Sequence, residues 1–188
     1  MQKMNNFIVT LIGKSGSGKT TIANKLNKEY DCKVLASYTT RPPRNPDDTD
    51  HVYISEEEFD KLTDIVAFTN FNGYRYCATK DQVDNADIYV IDPYGLEQLK
   101  ENYSGKKRIV SIYLDVPMDV CLDRMRTRGD DEDKCWERLR HDDKAFQGIK
   151  GHVDYVVNGV PNFTWMAVHQ LIAKEIMKDT DFSTGKYS

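Results

Sequence analysis

Eight consecutive residues, Gly13-Lys14-Ser15-Gly16-Ser17-Gly18-Lys19-Thr20, fit the pattern G-x-x-x-x-G-K-[ST] without exception. Glycines at this spacing let the backbone curl, so that successive N–H groups point inward at phosphate oxygens. A lysine placed here bridges β- and γ-phosphates, and the following hydroxyl ligates Mg²⁺. Gly13, Ser15, Gly16, Ser17, Gly18, Lys19, Thr20 and the adjoining Thr21 are therefore expected to hold ATP, with Thr20 as the metal ligand. Lys14 reads as solvated. Such a loop implies ATP or GTP and leaves the phosphate acceptor open.

Two further groups could handle phosphate. In Ser37-Tyr38-Thr39-Thr40-Arg41-Pro42-Pro43-Arg44, two guanidinium groups project from a stretch stiffened by fixed proline φ angles. Two planar forks converging on a point suit a phosphate dianion; taken alone, two arginines near prolines make a solvated loop. Arg124 and Arg128 share a face of an expected helix, and Arg138 and Arg140 follow the acidic run Asp130-Asp131-Glu132-Asp133. By themselves these read as a salt-bridged surface helix.

Elements must bring these groups together. Phe7–Ile12 reads as a buried strand ended by glycine, and a helix is expected from Lys19 to about Glu29. Lys33–Ser37, Ile88–Asp92, Arg108–Leu114 and Val153–Val157 read as further strands. Helices are expected over Pro117–Arg128, Cys135–Phe146 and Pro161–Lys178. Between Tyr38 and about Asp84 the pattern changes to short strand-like pieces such as His51–Ser55, with a capping box at Ser55-Glu56-Glu57-Glu58. Strands alternating with helices imply an α/β fold with a parallel sheet covered on both faces.

The bulk properties narrow the function. The 188 residues are 39% hydrophobic and 30% charged, an ordinary globular composition, and suit one domain with a full core. A net charge of −4 and a pI near 5.6 argue against general nucleic-acid binding. Four scattered cysteines lack any C-x-x-C pair, so they read as reduced thiols rather than a disulfide frame or zinc site. No stretch approaches a signal or membrane span, which points to the cytoplasm and to no membrane partner.

Following such a loop at this distance, Thr39-Thr40-Arg41-Pro42-Pro43-Arg44 resembles the T-T-R-x-P-R motif of guanylate kinases. Asp50-His51-Val52-Tyr53-Ile54-Ser55 with Glu57-Glu58-Phe59 resembles the family's D-Y-x-F-V-S-x-x-E-F segment. Gly73–Tyr76 is similar to G-N-x-Y-G, Arg124–Gly129 to R-L-x-x-R-G, and Asp154–Asn158 to Y-D-Y-V-I-x-N. The resemblance implies a P-loop NTPase three-layer sandwich with a small nucleoside-monophosphate-binding insertion and a helical lid. Its bounds would be core 1–37, 86–127 and 146–180, insertion 38–85 and lid 128–145, in one domain over 1–188.

It also implies roles. Arg41, Arg44 and Tyr76 match residues that grip the acceptor phosphate, His51 stands where the family has a phosphate-contacting tyrosine, and Ser37 matches a hydroxyl that touches the base. Asp92 matches the second acid of D-x-D, and reads equally well as a helix cap before Pro93. Arg124, Arg128 and Arg138 match lid and hinge arginines that close over the ATP phosphates. Asn158 matches a residue beside the adenine, or is a turn residue before Gly159. The implied catalytic set is Lys19, Arg41, Arg128 and Arg138, working with Mg²⁺ on two small-molecule nucleotides.

The departures fall in the base pocket. A gapless count from Gly73 puts Ala67 where the family has a base-reading glutamate; Ala78 replaces a small hydroxyl, and Val90 the first acid of D-x-D. Guanine presents N1–H and a 2-amino group as adjacent donors that a carboxylate accepts, and an unpaired buried donor costs ~1–3 kcal/mol. GMP or dGMP leads as acceptor, with another (deoxy)nucleotide base on the same scaffold as the alternative. A non-catalytic guanylate-kinase-like module that binds proteins is the rival of a different class; such modules have a degraded phosphate loop.

Overall fold

The computed structural model describes residues 4, 6–43, 46, 48–71, 73–159 and 163–183. The elements in chain order are β1 (Phe7–Gly13), α1 (Lys19–Tyr30), β2 (Tyr38–Thr39), β3 (Val52–Tyr53), α2 (Glu56–Phe59), β4 (Ile65–Phe71), β5 (Tyr74–Thr79) and α3 (Lys80–Asp84). They continue with β6 (Ile88–Val90), α4 (Pro93–Asn102), β7 (Arg108–Asp115), α5 (Met118–Thr127), α6 (Glu132–Ala145), β8 (Tyr155–Asn158) and α7 (Phe163–Ser183). A single 3₁₀ turn lies at Ile149–Gly151.

The core sheet is parallel, in the order β6-β1-β7-β8. Every residue of β1 is buried, which explains its unbroken run of apolar and β-branched side chains. Alternate residues of β1 feed two apolar layers. Phe7, Val9 and Leu11 pack with Leu26 of α1, Met125 of α5, Leu139 of α6 and Ile172 of α7. Ile8 and Ile12 pack with Leu96 and Leu99 of α4, with Phe146, and with Ala67 and Ala78. The result is the three-layer α/β sandwich expected of a P-loop NTPase, with the glycine-rich loop at the carboxyl end of β1.

A second sheet, β3-β2-β5-β4, lies between α1 and α4 in sequence. Its β2–β3 pair is parallel and its other pairs antiparallel. The β4–β5 hairpin turns at Gly73, whose φ of +78° suits glycine. Ser55 and Glu58 form the expected capping box on α2, and Thr79 with Gln82 forms another on α3.

Three expectations need correction. Lys33–Ser37 is not a regular strand: it makes one parallel bridge, Val34 to Ile88, before the chain leaves for the second sheet at Tyr38. Helix α6 begins at Glu132 rather than Cys135, because the Asp131 side chain accepts the Lys134 N–H and two acids fill the first turn. The stretch after Phe59 carries two full strands, β4 and β5, rather than short pieces only.

Candidate active site

The loop between β1 and α1 is shaped by close contacts. Gly16 and Gly18 have φ of +77° and +96°, a region side chains rarely adopt. A Cβ on Gly16 would also sit 2.4 Å from the Cys121 carbonyl oxygen, so the loop packs directly on α5. Gly18 caps α1 without a side-chain bond, which leaves the helix N-terminus facing the loop. Ser17 is buried and its Oγ has no hydrogen-bond partner, so a polar atom is held ready inside the curl. The cradle fits a phosphate group.

Lys19 Nζ donates to the carbonyls of Gly13 at 2.6 Å and Lys14 at 3.0 Å. Burial pushes its ammonium down from the ordinary lysine range, against the pull of nearby Asp142 and Asp92. The Ser15 N–H donates to Asp142 Oδ2 at 2.6 Å, so a carboxylate from α6 occupies one of the cradle's inward donors. Lys14 is not solvated as expected; its side chain is largely covered and lies 3.6 Å from Asp143.

A cavity of about 360 Å³ on the outer side of the loop is lined by Ser15, Gly16, Gly18, Lys19, Thr20 and Thr21, and by Arg124, Arg128 and Arg138. Arg124 Nη1 donates to the Ser17 carbonyl at 2.9 Å, bracing the loop. Arg128 pairs with Asp130, and Arg138 lies 3.5 Å from the same carboxylate. The three arginines from two helices thus share one cavity with the cradle, a convergence that a merely solvated helix face would not produce.

On the inner side, a cleft of about 500 Å³ is lined by Gly13, Ser15 and Lys19 of the loop, by His51 just before β3 and Tyr76 of β5, and by Asp92, His141 and Asp142. Tyr76, on β5, meets His51 edge to face at 5.4 Å. Ser37 Oγ and His51 Nδ1 are 2.9 Å apart. Asp92 takes the cap role weighed from sequence, accepting the Gly95 N–H at 3.0 Å at the start of α4, while lining the cleft as well. At the far rim, Phe71 at the end of β4 meets His141 of α6 with ring centroids 5.2 Å apart.

Arg41 is not splayed into solvent. Its side chain is 11% exposed and donates to Asp48 at 3.2 Å and to the Tyr53 hydroxyl at 3.3 Å. Its Nε is buried without a partner. Desolvation of the guanidinium is outweighed by the Asp48 hydrogen bond and by the neighbouring tyrosines. Arg44 lies outside the described residues. Asn158 ends β8 opposite Asp115 and lines neither cavity.

A metal bound with ATP would meet few protein ligands. Among the described residues no group of three or more His, Cys, Asp or Glu could hold an ion. The Thr20 hydroxyl beside the cradle fits Mg²⁺ even so, because that ion is commonly held by one or two protein ligands, waters and the substrate phosphates. One residue that sequence reasoning missed is Asp142. It sits in a strongly charged helix and reads as solvent-facing until the packing of Leu139 and Cys135 fixes which side of α6 is inward.

Comparison with known proteins agrees with this geometry. The family profile described as "AAA domain" matches residues 9–147. The guanylate kinase of Nitratidesulfovibrio vulgaris is 31% identical over 170 residues, covering 84% of this chain and 81% of that protein. The guanylate kinase of Syntrophus aciditrophicus is 29% identical over 168 residues, with 83% and 80% covered. Among solved structures, guanylate kinase from Anaplasma phagocytophilum superposes with a TM-score of 0.65 at 23% identity, covering 94% of this chain and 89% of that one.

Proposed function

On the premise that the chain carries an AAA domain and belongs to the guanylate kinase family, we propose that it moves the ATP γ-phosphoryl group onto the 5′-phosphate of GMP or dGMP. The coarser activity, an ATP-dependent nucleoside monophosphate kinase, follows from the family itself. One observation supports transfer between two nucleotides: a single cleft is lined both by Lys19 of the cradle and by His51 and Tyr76, which match the acceptor-phosphate grip; the choice of GMP or dGMP rests on the family names.

On this reading, 38–85 is the acceptor-binding insertion, 128–145 the lid, and 1–37, 86–127 and 146–180 the core. Gly13, Ser15–Thr21 and Arg124 hold ATP, and Asn158 lies beside its adenine. Ser37, Arg41, Arg44, His51, Tyr76 and Asp92 hold the acceptor. The acceptor phosphate is already anionic at neutral pH, so no general base is required. Lys19, Arg41, Arg128 and Arg138 align two phosphates and offset the charge that spreads over the transferring group. Mg²⁺ on Thr20 would add positive charge between the phosphates. Arg128 and Arg138 now pair with Asp130, so taking up phosphate means exchanging one anion for another. Four buried cysteines outside any disulfide suit a cytoplasmic setting.

A second reading, a different base on the same scaffold, is favoured by Ala67 and Ala78, both buried and neither able to pair with guanine's donors. A coupled ADP-release assay across nucleoside monophosphates tests both. ADP release that depends on GMP or dGMP supports the first; dependence on another base replaces it with the second. Release that no monophosphate stimulates would overturn both.

A further inference from the structure

On the reading above, Ala67 and Ala78 stand where the family pattern has polar side chains. Ala67 on β4 and Ala78 on β5 are register partners, so their methyl groups lie side by side on one face of the second sheet. They are 2% and 0% exposed. The ring of Tyr89, on β6, packs into the same apolar layer, and the residue is 6% exposed. Two small side chains thus leave room for a large one that enters from the core sheet.

Tyr89 is not inert filling. A cavity of about 120 Å³ is lined by Ser37, Ala67, Thr69, Tyr76, Tyr89 and Asp92. Ser37 is satisfied by His51, and Asp92 accepts from Gly95. Thr69 and Tyr76 are half-buried, where water can serve them. The Tyr89 hydroxyl has no partner among the described residues and is not sealed off, so in this small cavity an occupant could take its hydrogen bond in place of water. Burial pushes the phenol far up from its ordinary value, with Asp92 and Cys77 adding to the effect, so the O–H stays intact.

Building on the kinase reading above, we propose that the Tyr89 hydroxyl is the specificity-determining group of the acceptor pocket, donating a hydrogen bond to a carbonyl oxygen or ring nitrogen of the base. A carboxylate only accepts, and at two oxygens; a neutral phenol has an O–H to donate and a single oxygen that cannot match two adjacent donors. The recognised feature of the base therefore changes from guanine's paired donors to an acceptor atom, and guanine's 2-amino group goes unread. The ligand class is a nucleoside monophosphate with a hydrogen-bond acceptor on the inner edge of its base.

The test uses the whole chain and two acceptors that differ only in the 2-amino group, GMP and inosine monophosphate. The expected result is kcat/KM values within about threefold of each other, because no group pairs with that amine. Tyr89→Phe should raise the KM of the best acceptor about tenfold or more while leaving kcat and the KM for ATP nearly unchanged. A hundredfold preference for GMP over inosine monophosphate, or a Tyr89→Phe variant with unaltered acceptor KM, would overturn the proposal while leaving the kinase reading standing. Wild-type protein that phosphorylates no monophosphate would bring down both. Thermal melting of Tyr89→Phe separates a misfolded variant from a misread base. Should that variant unfold, the GMP and inosine monophosphate comparison on the wild type decides alone.

Discussion

The donor cradle and the acceptor pocket face the same cleft, yet they depart from the family pattern to very different degrees. At the cradle every residue expected from the glycine-rich pattern is present, from Gly13 to Thr20. In the proposed acceptor pocket the side chains differ from the family pattern, with alanines at 67 and 78 and histidine at 51. A phosphate is the same in every nucleotide and can be held by the main chain, which tolerates little change. A base differs between nucleotides and is read by side chains, which can be replaced singly. The contrast teaches where substrate choice can change without loss of the reaction.

The most severe way to break the contrast is at the cradle. Lys19→Ala should lower kcat by about 10³-fold or more with the fold retained, measured by ADP release and circular dichroism. Arg41→Ala should come next, at about 10²–10³-fold in kcat/KM for the acceptor, with ATP affinity by calorimetry little altered. A smaller effect sharpens the comparison from the donor side. Asp142 occupies the Ser15 N–H and faces Lys19, so Asp142→Asn should tighten ATP binding about 3–10-fold in calorimetry. Unchanged affinity would mean that the carboxylate moves aside at no expense.

The smallest functional effect lies far from both sites. Glu175 of α7 is buried, which alone would raise its carboxyl pKa. Hydrogen bonds from Lys178, Tyr155 and Arg108 outweigh that and hold it at about 2. A depressed carboxyl contributes stability that is present above its unfolded value and is lost as pH falls toward the folded one. Between about pH 4.5 and pH 2 the core should therefore lose on the order of 1–3 kcal/mol, read as a falling urea midpoint. Glu175→Gln should flatten that slope and leave kcat near the wild-type value.

The sequence made the cradle legible because its function requires particular residues at fixed spacing, and those residues are contiguous. The core strands β1 and β7 were equally plain, being buried on both sides. Lys33–Ser37 misled because its composition suits a strand, while its neighbours allow pairing only at Val34 before the chain crosses to the other sheet. Asp142 and Tyr89 were invisible for a related reason. What each does depends on which face of α6 or β6 turns inward, and one helix of charges or one tyrosine in an apolar run does not declare that. Arg41 was found by its motif, but its partners Asp48 and Tyr53 emerge only when the loop folds back on β3.

The edge-to-face pair of Phe71 and His141 bears on how molecules enter and leave. Both rings line the cleft, so the contact ties the end of β4 to α6 along one rim. On the reading proposed above, a shift of either element on nucleotide entry would be felt by the other, and Phe71→Ala would uncouple the two.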